Sequence, residues 1–158
     1  LEYGSSGNTP DIFHAALIFG MDEHDRSIFD HTREFVMERN IPSVSTYVLT
    51  PYPGTDLYRR VEREGRLLHR NWAYYDHLTP VFEPARMDLG ELASGYLRFR
   101  QQLFSAGGIL RRLPAQLRVE PIPYLCMSLA FRKTTALLEE HHRRYFSWLD
   151  TIGPGPRR

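Results

Sequence analysis

Two short apolar runs determine the architecture of this chain, IFHAALIFG at residues 12–20 and VSTYVLTPYPGT at residues 44–55. The first run is brief, apolar and closed by Gly20, which is typical of a strand buried on both faces. The second is rich in β-branched residues and predicts another strand over residues 44–49. Residues 26–39 lie between them, and their apolar positions at helical spacing (Ile28, Phe29, Phe35 and Val36) predict a helix. Asp25 is its expected N-cap and Asn40 its expected end.

A second helix is predicted over residues 56–64, because Thr55 is a good N-cap and Gly65 a good stop. Strand, helix, strand and helix in this order indicate an α/β fold built on a βαβ unit with parallel strands. Two parallel strands alone leave both sheet edges open. We therefore expect further strands from missing sequence or from a partner chain.

The C-terminal half of the sequence is predicted to be mainly helical. Residues 69–87 have no regular period and indicate an ordered irregular crossing, after which Asp88 and Glu91 form a capping-box pattern. The helix that begins there is expected to stop at residues 105–108. Further helices are predicted over 109–117 and 124–149. Residues 1–11 are expected to be a flexible leader and residues 151–158 a disordered tail.

Composition excludes several classes of protein. The 158 residues include one cysteine, Cys126, so the chain cannot form an intramolecular disulfide or a four-thiolate metal site by itself. Cys126 is expected to be buried, as a small apolar residue on the last helix. No transmembrane segment and no secretory signal are predicted, and a cytoplasmic or membrane-peripheral location is expected.

Charge is unevenly distributed. Residues 1–96 hold 9 basic and 15 acidic side chains, whereas residues 97–158 hold 11 basic and 4 acidic ones. The cationic tail is explained either by solvated arginines on helix faces, which is the simpler account, or by contact with nucleic acid, an acidic partner or an anionic membrane. We expect no nucleic acid partner.

The loops that follow the two strands are the candidate sites, because ligands of parallel α/β sheets bind at the carboxyl ends of strands. Gly20 either lets a ligand approach the backbone or serves a tight turn. The acidic run at residues 22–25 is explained by a helix start, so no metal site is predicted. His14 either faces the interior of a barrel or is structural, and His141 and His142 are expected at the surface. No catalytic residue is assigned.

The loop at residues 49–55, with its spacing from Gly20, resembles the second half of the radical S-adenosylmethionine (SAM) barrel, in the cobalamin-binding class of that superfamily. The segments 57–68, 72–76, 81–84 and 109–112 are similar to the same family in the same order. The resemblance covers residues 13–135. It implies a fragment of a partial parallel (β/α) barrel of about two βα units over residues 12–68, followed by a helical C-terminal extension over residues 69–150.

The resemblance also implies site residues. The family's fifth-strand Gly-x-Ile-x-Gly pattern, which contacts the adenosine of SAM, maps onto Ala16, Ile18 and Gly20, with Ala16 departing from the pattern. The implied cofactor contacts are Ile18, Phe19, Gly20, Asp22, Thr50, Pro51 and Tyr52. The implied substrate-channel residues are Tyr47, Pro53, Gly54, Trp72 and Tyr75.

In that family a [4Fe-4S] cluster held by three cysteines and, in this class, a cobalamin domain perform the chemistry. The resemblance therefore implies that SAM binds here at a partial site, while cluster and cobalamin belong to a full-length parent. The expected partners are the missing N-terminal half of the barrel and the cobalamin domain. The expected reaction is radical methyl transfer or a related C–H functionalisation on a small-molecule or lipid-like substrate, and the chain is expected to be inactive alone. The alternative is a non-catalytic module that docks through its cationic tail on a partner protein or an anionic membrane surface, with contacts at residues 121–131.

Overall fold

Two parallel strands and five α-helices make up the part of the chain that the computed structural model describes, residues 14–117 and 121–153. Strand β1 (His14–Phe19) is followed by helix α1 (Ile28–Glu38), strand β2 (Ser43–Val48) and helix α2 (Asp56–Arg63). One turn of 3-10 helix (Trp72–Tyr74) precedes helices α3 (Leu89–Leu103), α4 (Ala106–Gln116) and α5 (Pro121–Ile152). The predicted leader lies outside the described residues, as do residues 154–158 of the predicted tail.

The predicted order of strand, helix, strand and helix is confirmed, and β1 pairs with β2 in parallel. Local signals set these boundaries. The N-cap of α1 is Ser27 rather than the expected Asp25, whose carboxylate accepts a hydrogen bond from the Ser27 amide (2.8 Å), and Asn40 ends the helical path at φ +48°. Thr55 Oγ1 accepts from the Tyr58 amide (3.2 Å), which is the N-cap expected for α2.

One face of the sheet packs against helices α1 and α3. The side chains that alternate onto this face include Phe19 and Val48, and the Phe19 ring lies 5.0 Å from Phe29 of α1 and 4.9 Å from Phe99 of α3. These contacts form the centre of the apolar core. Within α1 the predicted face is partly wrong. Phe29 and Val36 are buried, but Phe35 is exposed and Met37 takes its place in the core.

The other face of the sheet is open in the described residues. It carries His14, Ala16 and Ile18 from β1 and Ser43, Ser45 and Tyr47 from β2. The prediction that the first strand is buried on both faces is therefore wrong for the described chain, since the helices cover only one side. His14 is exposed on the open face, and its Nδ1 lies 2.7 Å from Ser43 Oγ.

Helix α3 begins with the predicted capping box. Asp88 accepts from the Glu91 amide (2.7 Å), and the Glu91 carboxylate accepts from the Asp88 amide (3.1 Å). Residues 105–108 end α3 as predicted, but they also begin the next helix, which was not predicted to start there. Ser105 Oγ accepts from the Gly108 amide (2.9 Å) and caps α4, so both glycines lie in the first turn of the next helix.

Helix α5 packs on α3 and α4 through one side that includes Tyr124, Ser128, Leu138 and His142. Cys126 lies between the first two of these and projects away from them, so it is exposed and the prediction that it is buried is wrong. His142 is buried rather than at the surface, because its Nε2 donates to Leu78 O (2.9 Å) in the irregular crossing. No helix in residues 14–117 or 121–153 is long and apolar enough to cross a membrane.

Candidate functional site

The carboxyl ends of the two strands lie side by side and form the candidate site. The Leu49 amide donates to Phe19 O (2.8 Å), which extends the parallel pairing to the last residues of both strands. The loops that begin at Gly20 and at Thr50 therefore leave the sheet at the same end, the carboxyl end of both strands. The sequence predicted this juxtaposition from the parallel order alone.

Gly20 has a structural role at this end of the sheet. Its φ of +94° lies in the region that favours glycine, and an added Cβ would lie 3.2 Å from Leu92 Cδ2 of α3. The space beside Gly20 is thus filled by the helical layer. The tight-turn interpretation accounts for this glycine, and the close approach of a ligand stays a prediction.

The second loop is held by its own hydrogen bonds. Thr50 Oγ1 donates to Val48 O (3.1 Å), and both Thr50 and Pro51 are buried. The next residue, Tyr52, is partly exposed, and Pro53 and Gly54 are exposed where the chain turns into α2. Thr50 and Pro51 therefore shape the loop, while the Tyr52 side chain reaches its surface.

Tyr52 is joined to a residue that the sequence did not single out, His77. The Tyr52 hydroxyl donates to Tyr75 O (2.8 Å), and its oxygen lies 3.0 Å from His77 Nε2. The shorter contact assigns the hydroxyl proton to Tyr75 O, and with this assignment a neutral His77 ring donates from Nε2 to Tyr52 and keeps Nδ1 as an acceptor.

The backbone of His77 is held in an uncommon conformation. Its φ is +62°, and its carbonyl accepts a hydrogen bond from the Val48 amide (2.6 Å) on the outer edge of β2. The preceding Asp76 carboxylate accepts from the amides of Leu78 (2.9 Å) and Thr79 (2.8 Å) and so fixes the turn. No sequence signal marks His77, because a left-handed histidine follows from these distant contacts.

Four side chains from these segments form what we call the strand-end shelf: Ile18, Tyr47, Tyr52 and His77. Ile18 and Tyr47 are direct partners in the β1–β2 register, and they are 42% and 38% exposed on the open face. The His77 ring lies 6.1 Å from the Tyr47 ring and 5.3 Å from the Tyr52 ring. The shelf offers an apolar and aromatic surface that can pack against a flat ligand, with one nitrogen acceptor beside it.

The carboxylate of Asp22, a predicted cofactor contact, is bound by two arginine side chains. Arg66 binds both carboxylate oxygens (2.8 and 3.2 Å), Arg60 lies 3.0 Å from one of them, and the Ala85 amide donates at 3.2 Å. The hydrogen bonds from Arg66 are the main reason that the pKa of Asp22 is lowered. Asp22 thus ties the loop after β1 to the end of α2 and to the irregular crossing.

The remaining predicted residues lie outside the strand-end shelf. Phe19 is buried in the core. Tyr75 is also buried, its hydroxyl donates to His69 O (2.7 Å), and burial raises its pKa to about 12. Trp72 is exposed, with its ring 4.7 Å from that of Tyr75 and 6.4 Å from that of Tyr58 in α2. Of the five predicted substrate-channel residues, Tyr47 is the one that lies on the strand-end shelf.

Within the part of the chain that the structure describes, no three His, Cys, Asp or Glu side chains converge as metal ligands. In the acidic run after β1, Asp22 is engaged by arginines and Asp25 by Ser27. Cys126 lies on α5 and outside the shelf.

The chain is similar to the bacteriochlorophyllide d C-12(1)-methyltransferase of Chlorobaculum tepidum, with 28% identity over 96 residues. The aligned part is 61% of this chain and 21% of the methyltransferase, so the chain spans about a fifth of that relative. No solved structure matches the chain. The profile of a domain of unknown function, DUF4070, matches residues 55–146, which run from the N-cap of α2 into the last third of α5. This match covers more than half of the sequence, and the chain belongs to the DUF4070 family.

Proposed function

We propose that this chain is the C-terminal portion of a cobalamin-type radical SAM enzyme that carries out methyl transfer or a related C–H functionalisation. In this proposal the strand-end shelf provides part of the adenosine site and part of the substrate channel. The observation that carries the proposal is the exposed pair of Ile18 and Tyr47 at the carboxyl end of a parallel sheet with one open face. In a parallel barrel, that face is the interior and that end is where ligands bind.

Two further findings support the proposal. The relative from Chlorobaculum tepidum is a methyltransferase, and the similarity covers only a fifth of its length. A chain that corresponds to one part of a larger enzyme is expected to hold one part of its site. The motifs at residues 49–55, 72–76 and 81–84, which resemble the cobalamin-binding class, occur in the same order as in that class.

The residues present fit the adenosine portion of SAM. The exposed side chains of Ile18 and Tyr47 offer a surface for a purine ring, and His77 Nδ1 is an acceptor at the rim. The one cysteine of the chain cannot supply the three thiolates of a radical SAM cluster. When bound, SAM, the cluster and cobalamin supply the radical and methyl-transfer chemistry, and the ligands of the cluster come from other residues of the parent.

The roles left to this chain are binding and positioning. Tyr47 and Tyr52 exclude water from one wall of the site, and the hydrogen bond between His77 and Tyr52 fixes both rings. The Asp22–Arg66 ion pair holds the loop after β1 against the irregular crossing, so that Ile18 and Gly20 keep their place. These contacts preorganise half of a site before a ligand enters it.

The test uses the complete gene product that contains this chain, purified without oxygen and reconstituted with iron and sulfide. We expect it to convert SAM to 5′-deoxyadenosine. Replacement of Ile18 by Asp places a charge on the shelf and is expected to raise the KM for SAM by about tenfold or more, a loss of about 1.4 kcal/mol in binding.

The matched control is Phe35→Asp, which makes the same kind of change at an exposed apolar residue of α1. The control protein is expected to keep the wild-type KM. Failure to form 5′-deoxyadenosine, or an equal effect of both substitutions, would contradict the proposal.

A further inference from the structure

Helices α4 and α5 carry a set of large apolar side chains on their outer sides. The side chains are between 57% and 73% exposed: Leu110 and Leu117 at α4, and Ile122, Leu129 and Leu137 on α5. Single exposed apolar residues are common, but each of these two helices carries several of them on one outer side. We call this set, with the basic residues described next, the hairpin patch.

The spacing of these residues puts them opposite the core. Leu110 and Leu117 are seven positions apart, which is two helical turns, whereas Ile109, just before Leu110, and Arg112, between the two leucines, are buried. On α5 the intervals from Ile122 to Leu129 and Leu137 keep to one side as well, and Tyr124, Ser128 and Thr135 occupy the buried side. The two helices are joined on that buried side, where Tyr124 Oη donates to Ile109 O (2.7 Å).

The described charged residues close to these side chains in the sequence are basic, except beyond Leu137, where Glu140 follows one helical turn later on the same side. Arg111, Arg132 and Lys133 are exposed beside them, and the described residues from 92 to 138 include no Asp or Glu. The one acidic residue of this stretch in the sequence, Glu120, lies in the connection between the helices, outside the described residues. Arg100 and Arg112 do not contribute to this surface, since both are buried. Acidic side chains return at Glu139 and Glu140, and Glu140 pairs with Arg143 and Arg144.

We propose that the hairpin patch docks on the surface of an anionic phospholipid membrane. An amphipathic helix with exposed Leu and Ile beside Lys and Arg lies in the interface with its apolar side chains among the headgroups. The basic side chains add electrostatic attraction to anionic lipids, and the absence of carboxylates from the described part of the patch avoids repulsion. This inference goes beyond the proposed function and does not depend on it, because the patch and the strand-end shelf share no residue.

The proposal is tested by co-sedimentation of the 158-residue chain with vesicles. We expect binding to phosphatidylcholine vesicles that contain about one third phosphatidylglycerol, weaker binding to pure phosphatidylcholine, and a decrease with salt. Double substitution of Ile122 and Leu129 by Glu, and separately of Arg132 and Lys133 by Glu, is expected to lower the partition coefficient by roughly tenfold or more.

Matched controls change the same kinds of residue elsewhere. Phe35→Glu replaces an exposed apolar residue of α1, and Arg63→Glu replaces an exposed arginine of α2, and both are expected to bind as the wild type does. Circular dichroism verifies that every variant is folded. The proposal is overturned if the wild type stays in the supernatant with anionic vesicles, or if the controls lose as much binding as the patch variants. It is also overturned if light scattering shows a dimer that the Ile122→Glu, Leu129→Glu variant dissociates, since the patch then faces a second copy.

Discussion

Replacement of Gly95 by Ala tests the packing of α1 on α3. Gly95 lies in the middle of α3, and an added Cβ would clash with Cε2 of Phe29 and lie 2.6 Å from its Cδ2. The Phe29 ring cannot yield easily, because it is buried and stacked on Phe19 with 5.0 Å between the ring centroids. The methyl group therefore forces the two helices apart or drives Phe29 from its rotamer.

The expected free energy is the difference of two opposing effects. Overpacking of this kind costs about 1–3 kcal/mol, and the contact is close enough to place the cost near the upper value. The better helix propensity of Ala returns about 1 kcal/mol. We expect a net destabilisation of about 2 kcal/mol, which for a chain of this size lowers the Tm by about 4–8 °C.

The assay is urea unfolding followed by circular dichroism, with Gly107→Ala as the control. Gly107 lies in the first turn of α4, where an added Cβ would be 3.9 Å from Ser105 Oγ, so this variant is expected to gain about 0.5 kcal/mol. A second substitution, Phe29→Leu, is expected to recover part of the loss in the Gly95→Ala background. If Gly95→Ala is as stable as the wild type, the described packing of α1 on α3 is wrong.

Two further predictions concern buried polar groups. Arg112, which is 1% exposed, donates to the carbonyl oxygens of Ile41 (3.3 Å), Leu103 (3.0 Å) and Gly108 (3.2 Å). Arg112→Met is therefore expected to lower the free energy of unfolding by about 2–3 kcal/mol, and an unchanged urea midpoint would contradict the role of Arg112 as an internal donor. Burial lowers the pKa of His69 and of His142, so the unfolded chain binds more protons and stability declines as the pH falls below about 6.5. Urea midpoints at about pH 7.5 and 5.5 test this, and His69→Gln should reduce the difference between them.

The pH prediction has a geometric basis at His69. Tyr145 Oη donates to Pro80 O (2.8 Å), so the Tyr145 oxygen accepts from His69 Nε2 at 3.1 Å. His69 Nδ1 accepts a hydrogen bond from the Asn71 amide (3.2 Å), so its lone pair cannot take up a proton unless that hydrogen bond is broken. A stability that is equal at both pH values would mean that these hydrogen bonds do not persist in solution.

The sequence predicted the features that depend on neighbouring residues. Thr55, the Asp88–Glu91 pair and Asn40 act through hydrogen bonds or backbone preferences within one helical turn, and all three mark the boundaries of helices as expected. The parallel pairing followed from the order of the elements. These features need no knowledge of what packs against the helices.

The features that depend on distant contacts were missed. Cys126 and His142 both lie in the helix that the sequence predicts. The buried side of that helix, however, is determined by its contacts with α3, α4 and the irregular crossing. The Arg residues counted as a cationic tail include Arg100 and Arg112, which the fold uses inside. His77 joined the strand-end shelf through Val48 and Tyr52, which are 29 and 25 positions away in the sequence.

The open sheet face links the fold to the proposed function. Parallel sheets are covered on both faces in nearly all proteins, yet here Ile18 and Tyr47 are exposed while the opposite face holds the core. The outer edge of β2 is partly closed by the Val48–His77 hydrogen bond, whereas β1 pairs in the described residues with β2 alone. In the proposed function this open face is the interior of a barrel whose other strands belong to the parent enzyme. A ligand bound at the strand-end shelf would then contact both parts and strengthen their association.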